Sequence, residues 1–204
     1  VEMAPSGVLE RIRKLEQHRL LTVRHGAGVT VTDFRRSGTL DLIAPFLLHG
    51  TDLRERVRML EDMLFARAQV LEMAFACAAR RAHLDDVARI KVLAERYVSL
   101  IEARDHAALA HAELTWIDAV VEASHSLAVR WTANSLFDVY DRVVERFPGM
   151  WIYQDDLPYL LDQVTRAVER GDDEGAAGLV RGYYRRTDST LIDRLRQLLP
   201  ATER

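Results

Sequence analysis

The sequence of 204 residues has a single cysteine and no long apolar run. Cys77 has no second cysteine with which to form an intramolecular disulfide, so we expect it to pack as a small hydrophobic residue in a reducing, cytoplasmic compartment. No stretch approaches the roughly 18 uninterrupted apolar residues of a membrane span, and no signal peptide opens the chain. Membrane insertion and secretion are therefore not expected.

Catalytic motifs are also missing from the sequence. It contains no Ser-His-Asp arrangement, no phosphate-binding loop and no G-x-G-x-x-G fingerprint. The acidic pairs Asp85–Asp86, Asp155–Asp156 and Asp172–Asp173 open predicted helices, where a carboxylate caps the N-terminus. His106 and His111 are five residues apart, which does not bring both onto one face of a helix. We therefore expect a protein that is not an enzyme.

The charge is distributed unevenly along the chain. The net charge is -3, yet residues 1–36 carry seven Arg or Lys against four acids, so about +3 lies in this segment and about -6 in the remainder. A basic N-terminal segment on an acidic body indicates that only the N-terminal segment meets a polyanion. Hydrophobic residues make up 49% of the chain, which is enough for a sizeable core.

An amphipathic helix is predicted over residues 6–17. Val8, Ile12 and Leu15 follow the i, i+4, i+7 spacing of one helical face, and Ser6 is a candidate N-cap. The β-branched segments 20–23 and 29–32 come next and predict a hairpin, since the glycines between them supply the positive φ of a tight turn. A helix followed by a basic-tipped hairpin is typical of the second half of a winged helix.

Beyond the hairpin the pattern is helical almost to the end of the chain. Helices are predicted at about 39–49, 52–81, 84–102, 106–123, 127–146, 155–170 and 174–198. The expected fold is an all-α ligand-binding bundle of about six or seven helices, preceded by a partial winged helix-turn-helix of one helix and a β-hairpin wing. The predicted domains are a DNA-binding head at 1–33, a linker and connecting helix at 34–50, and an effector-binding and dimerisation domain at 51–204.

Two segments carry a resemblance to a known family. Residues 7–16 and 20–29 resemble the recognition helix and wing of the GntR family of bacterial regulators, whose pattern there is roughly V-R-E-A-L-R-x-L-E and then R-x-G-x-G. The helical remainder looks like the effector-binding domain of the FadR branch, including Ala123-Ser124 and the segment 166–172. The resemblance spans nearly the whole chain and implies a homodimeric, effector-controlled regulator that binds a palindromic DNA operator.

The head departs from the family pattern in two ways. The two helices and the P-x-E-R-x-L segment that open the family's winged helix would precede Val1, so we expect a fragment or processed chain whose head binds DNA poorly. The recognition helix runs Ala4–Glu10 instead of S-R-T-x-V-R-E and lacks two arginines, which reduces base readout. The candidate DNA-binding residues, most of them expected to contact phosphate, are Ser6, Arg11, Arg13, Lys14, Arg24, His25 and Gly26.

The resemblance also bears on metal binding. Many relatives hold a divalent metal through one Asp and three His inside the bundle. The matching positions here are Glu113, Ile117, Leu161 and Tyr183. One carboxylate does not hold a transition metal, so no metal site and no cofactor are predicted.

These substitutions are similar to those of the fatty-acid-responsive regulators of the FadR branch, which implies a long-chain fatty acid or acyl-CoA as the effector. Tyr183 matches a tyrosine implicated there, and Tyr140 with Arg142 fits the family's L-Y-x-R. We expect Arg67 to pair with the acidic head group, and with Glu113 in the empty protein. The candidate effector-binding residues are Arg67, Glu113, Trp116, Ile117, Asn134, Tyr140, Phe147, Leu161 and Tyr183.

Other interpretations remain open at this point. Most of these candidates also fit simple core packing in a bundle. The effector of a GntR-type regulator is alternatively a small organic acid, such as a sugar acid. The chain is alternatively an effector-binding protein that has lost its DNA function, and a metal-dependent helical hydrolase or oxygenase would require ligands that the sequence lacks.

Overall fold

The computed structural model describes residues 5–24, 26, 28–103, 106–146 and 154–197. The elements in chain order are α1 (Pro5–Gln17), β1 (Leu21–Arg24), β2 (Gly28–Val31), α2 (Phe34–Ser37), a short 3-10 turn (Leu40–Leu42), α3 (Ile43–His49), α4 (Leu53–Arg81), α5 (Leu84–Glu102), α6 (His106–Ala123), α7 (Leu127–Arg146), α8 (Leu157–Glu169) and α9 (Asp173–Gln197). A helical body preceded by a helix and a hairpin confirms the predicted fold class.

The head consists of α1 and the hairpin β1–β2. The two strands are antiparallel, with Leu21 opposite Val31 and Arg24 opposite Gly28. The turn between them requires glycine, because Gly26 and Gly28 have φ values of 77° and 94°, which residues with a Cβ rarely adopt. The chain leaves α1 through Arg19, also at positive φ, and the Leu20 N–H donates to the Leu15 carbonyl.

Most apolar side chains of the head are exposed. Leu21 is buried and Ile12 is half-buried, whereas the other large apolar residues of α1 and the hairpin, including Leu15 at 42% and Val31 at 82% exposure, are open to solvent. Burial of apolar surface is the main stabilising term in folding. The described part of the head therefore contributes little hydrophobic stabilisation.

A short connection joins the head to the body. Ser37 Oγ donates to the Arg19 carbonyl at 3.1 Å, and Arg35 pairs with Glu55 of α4 with an N–O distance of 2.8 Å. Residues 34–50, predicted as a linker and one connecting helix, contain α2, the 3-10 turn and α3. These two contacts of α2 are polar, and Phe34 also packs against α3, with its ring centroid 6.4 Å from that of Phe46.

The body is built around α4, which packs against α3, α6, α7, α8 and α9. At its centre Phe75 is fully buried and lies with its ring centroid 5.2 Å from that of Trp116. The large side chains that are almost entirely buried are Leu64, Phe75, Ile90, Tyr97, Leu109, Trp116, Val120, Val121, Leu161, Val164 and Val180. Leu64 belongs to a smaller cluster with α3 and the end of α9, and the others form the main core that holds the helices in fixed relative positions.

Polar caps set the helix ends. Asp52 accepts a hydrogen bond from the Arg54 N–H at 2.8 Å, and Asp86 accepts one from the His83 N–H at 2.8 Å. Gly171, at a φ of 71°, turns the chain from α8 into α9. Within the described ranges, no helix is both long and apolar enough to cross a membrane.

Candidate functional site

A cluster of five polar side chains lies inside the body. This Arg67 cluster consists of Arg67 on α4, Glu113 on α6, Tyr140 on α7, and Tyr184 and Asp188 on α9. Four of its members are buried, and the Asp188 side chain is 17% exposed. Tyr184 and Asp188 are four residues apart, so both project from one face of α9. Four helices therefore direct polar groups to a single point.

Arg67 is the only cation of the cluster. Its Nη2 lies 2.6 Å from Asp188 Oδ1, and its guanidinium carbon lies 4.5 Å from the ring centroid of Tyr184 and 5.6 Å from that of Tyr140. Burial alone would lower the pKa of Arg67, but the neighbouring negative charge, above all that of Asp188, raises it instead. Its Nε has no hydrogen-bond partner among the described residues. Arg67 is thus a fixed charge that retains an unused donor.

Glu113 is held by two tyrosines. The Tyr140 hydroxyl donates to Oε2 at 3.0 Å, and the Tyr184 hydroxyl donates to Oε1 at 2.8 Å. Burial, reinforced by the charge of Glu113, raises the pKa of Tyr184 well above its ordinary value, so this hydroxyl keeps its proton. Burial also raises the pKa of Asp188, an effect that Arg67 opposes. The two hydroxyls therefore act as stable donors to a carboxylate.

A cavity adjoins the cluster. It is about 20 Å³ in volume, which is room for about one water molecule. Its lining residues are Met63, Arg67, Val70, Leu71, Glu113, Leu114, Ile117, Ala133, Leu136, Phe137 and Tyr140. Val70, Leu114 and Phe137 are partly exposed, so this side of the cavity lies near the surface. The cavity combines an apolar wall with one polar end.

The structure places the predicted effector-binding residues at different sites. Those on the cavity wall are Arg67, Glu113, Ile117 and Tyr140. Trp116, Leu161 and Tyr183 are buried in the core away from this wall. Asn134 is exposed, because the wall residues of α7 follow Ala133 at helical spacing and Asn134 lies about 100° round the helix from them. Phe147 lies outside the described residues.

One contact in the cluster differs from expectation, because Arg67 pairs with Asp188 and not with Glu113. The tyrosine of α9 that bonds to Glu113 is Tyr184, next to the candidate Tyr183. Tyr183 packs edge-on against Tyr184 with a centroid distance of 5.4 Å. Sequence reasoning missed Asp188 because an Asp in the charged last helix resembles a surface residue. Its i, i+4 relation to Tyr184 was the available signal.

The positions matched to the family's metal ligands do not gather donors. Ile117 and Leu161 are buried apolar residues, and Glu113 is occupied by the two tyrosines. In the part of the chain that the structure describes, no three His, Cys, Asp or Glu side chains come together as a metal site. The absence of a metal stays a prediction.

A candidate nucleic-acid surface lies on the head. Arg11, Arg13 and Lys14 are exposed on α1, and Arg24 is exposed at the end of β1. Lys14 pairs with Glu10 of the same helix at 3.2 Å. Gly26 forms the exposed hairpin turn, while His25 and the Ser6 side chain lie outside what the structure describes. The four cations therefore stand in solvent, where they can contact phosphate.

Comparison with known proteins identifies the fold. No family model and no curated protein sequence matches the chain. A Streptococcus agalactiae GntR structure superposes with a TM-score of 0.59 at 15% identity, covering 92% of this chain and 83% of the other. A GntR-family transcriptional regulator from Pseudomonas syringae pv. tomato superposes with a TM-score of 0.51 at 19% identity, covering 96% and 73%. The chain therefore has a GntR-like fold.

Proposed function

We propose that the chain is a DNA-binding transcription regulator of the GntR type, whose body binds a small-molecule effector at the cavity beside Arg67. The observation that carries this proposal is one arrangement: exposed cations on a helix and hairpin, joined to a helical body whose cavity has an apolar wall and one polar end. Of two proteins with the same fold, one is named GntR and the other a transcriptional regulator of the GntR family. A fold alone does not assign function, so the site residues must be tested.

The DNA-binding role is assigned to the exposed side of the head. We place α1 in the major groove, as winged helices do, with Arg11 and Lys14, three residues apart on one face, toward the DNA and Arg24 at the backbone. A homodimer with two such heads would read a palindrome, because the symmetry of the operator mirrors that of the protein. Most contacts from these cations are electrostatic, so affinity should fall steeply with salt.

The connection offers a route from effector to DNA. Ser37 donates to the Arg19 carbonyl between α1 and β1 of the head, and Arg35 bonds to Glu55 at the start of α4. Glu55 and Arg67 lie on the same helix, about 18 Å apart along its axis. A ligand that shifts α4 at Arg67 would also move Glu55 and the groups bonded to α2. Coupling between two such sites is typically about 1–3 kcal/mol.

The wall and the volume of the cavity favour different classes of effector. An apolar wall supports the predicted long-chain fatty acid or acyl-CoA. The small volume supports the alternative of a compound much shorter than a long acyl chain, since a buried chain must displace packed side chains. We favour the smaller compound for this reason.

Selection from random DNA tests the proposal. The chain is incubated with a pool of randomised duplexes, and the retained duplexes are sequenced through successive rounds. We expect an inverted repeat to become enriched, and the double variant Arg11→Ala, Lys14→Ala to lose the enrichment. Arg58→Ala, which removes an exposed arginine from α4, is the matched control and should leave the enrichment intact. Absence of any enriched sequence with the unaltered chain would favour an effector-binding protein without DNA function.

A further inference from the structure

The charge balance at the polar end of the cavity restricts what the cavity can bind. Among the described residues, this end holds one guanidinium, Arg67, and two carboxylates, Glu113 and Asp188. Both tyrosine hydroxyls donate to Glu113, which is the arrangement expected around an ionised carboxylate. The cluster therefore carries a net charge of about -1 in a buried place.

An anionic head group is poorly matched to this cluster. The charge of Arg67 is already balanced by Asp188 at 2.6 Å. A ligand carboxylate would be the third anion around one cation, and like charges repel strongly where water is excluded. A buried anion without its own counter-ion is costly. Arg67 alone is thus insufficient to attract a carboxylate.

The cluster nevertheless leaves hydrogen-bonding capacity unused. Arg67 Nε is buried and has no partner among the described residues, which is an uncompensated donor. Each oxygen of Glu113 accepts one bond from a tyrosine, and a carboxylate oxygen has a second lone pair to offer. A complementary head group presents an acceptor to Arg67 and a donor to Glu113, whereas an ammonium group has donors only and would leave Arg67 Nε without an acceptor.

We propose that the effector is a small uncharged compound whose head group carries an acceptor and a donor side by side, as a primary amide does, with a short apolar tail. The tail would lie against Ile117 and Leu136, and the flexible side chain of Met63 would move to admit it. This inference rests on the proposed function, in which the cavity is the effector site. It specifies the charge of the ligand, which the fold does not.

Three probes with equal tails test the proposal. Hexanamide, hexanoate and hexylammonium are each titrated into the full chain at about pH 8 and followed by calorimetry. We expect hexanamide to bind and hexanoate to bind at least about tenfold more weakly, since only hexanoate adds a negative charge. Hexanoate or hexylammonium binding as tightly as hexanamide would overturn the proposal, as would no binding by any of the three.

A charge-removing variant locates the preference. Glu113→Gln lowers the negative charge of the cluster by one, so hexanoate should gain about tenfold relative to hexanamide. Glu122→Gln, an exposed position on the same helix, is the matched control and should keep the original preference. An unchanged preference in a folded Glu113→Gln protein, as judged by circular dichroism, would overturn the assignment to this cavity.

The two proposals fail in different ways. Loss of the amide preference with retained enrichment of an inverted repeat would overturn the ligand class and leave the DNA-binding function standing. An amide preference without any enriched DNA sequence would overturn the DNA-binding function and leave the ligand class standing.

Discussion

The head and the body of this chain are stabilised in different ways. In the body, Phe75 is fully buried in a continuous core, and even the charged Arg67 is enclosed by its neighbours. In the head, Leu21 is buried, but Leu15 and Val31 are exposed and the cations stand in solvent. The body is thus a packed scaffold with a polar interior site, and the head is an open surface that displays charge.

This difference assigns different roles to similar residue types. An arginine in the head is free to contact a phosphate, and its loss should change binding more than stability. Arg67 in the body is part of a buried network, and its loss should lower stability as well as change binding. Substitutions at exposed and at buried positions therefore test the difference between head and body.

The largest difference in stability is expected between substitutions of large apolar residues in the two regions. Phe75→Ala should lower the free energy of unfolding by about 4 kcal/mol, because it leaves a cavity next to Trp116. Leu15→Ala in the head should lower it by less than about 1 kcal/mol, because Leu15 is already 42% exposed. Urea denaturation monitored by circular dichroism measures both values. Equal losses would contradict the described difference in packing.

Breaking the buried ion pair should cost slightly less. Arg67→Met is expected to lower the free energy of unfolding by about 3 kcal/mol, because it leaves the carboxylate of Asp188 without its partner. The double variant Arg67→Met, Asp188→Leu should recover part of this loss, since it removes both charges. Arg58→Met on the exposed side of α4 is the control, with an expected change within about 0.5 kcal/mol. A double variant less stable than the single one would refute this account of the pair.

A smaller, pH-dependent effect is expected at the cap of α5. Burial would raise the pKa of Asp86, but hydrogen bonds from the His83 N–H and the His125 ring lower it overall. A lowered folded-state pKa means that the carboxylate stabilises the fold above its unfolded-state pKa, and that this stability is lost as the pH falls through the folded-state value.

Asp86→Ala should therefore cost about 1 kcal/mol at neutral pH, and the difference from the unaltered chain should shrink on acidification. Urea denaturation at a series of pH values from 7 down to about 2, which spans the ordinary carboxylate pKa, measures it, with the exposed neighbour Asp85→Ala as control. A difference in unfolding free energy that grows on acidification would show that the charged form of Asp86 does not stabilise the fold.

Sequence patterns located the helices closely because local signals mark their ends. The prediction of 52–81 compares with Leu53–Arg81 for α4, where Asp52 is the cap, and that of 174–198 compares with Asp173–Gln197 for α9. α2 was not predicted, since it spans only Phe34–Ser37 and lacks a helical period. Short elements of this kind depend on contacts that the local pattern does not reveal.

The site was predictable only in part. Arg67 was identified because an arginine among apolar neighbours on a helix requires a buried anionic partner. The identity of that partner was not predictable, because Asp188 on α9 lies 121 positions from Arg67 on α4 in the sequence. Asn134 was predicted to line the cavity but is exposed. Its neighbour Ala133 faces the cavity, and consecutive residues of a helix point in directions about 100° apart.

Hydrogen–deuterium exchange with and without DNA tests most directly the claim that the head reads DNA and the body does not. Without DNA, the amides of α1 and the hairpin should exchange much faster than those of α4 and α6, because the head has little buried core. An excess of the selected duplex should slow exchange in residues 5–31 and leave the buried segments of α5, α6 and α8 unchanged. Protection confined to the body, or none in either region, would contradict the account.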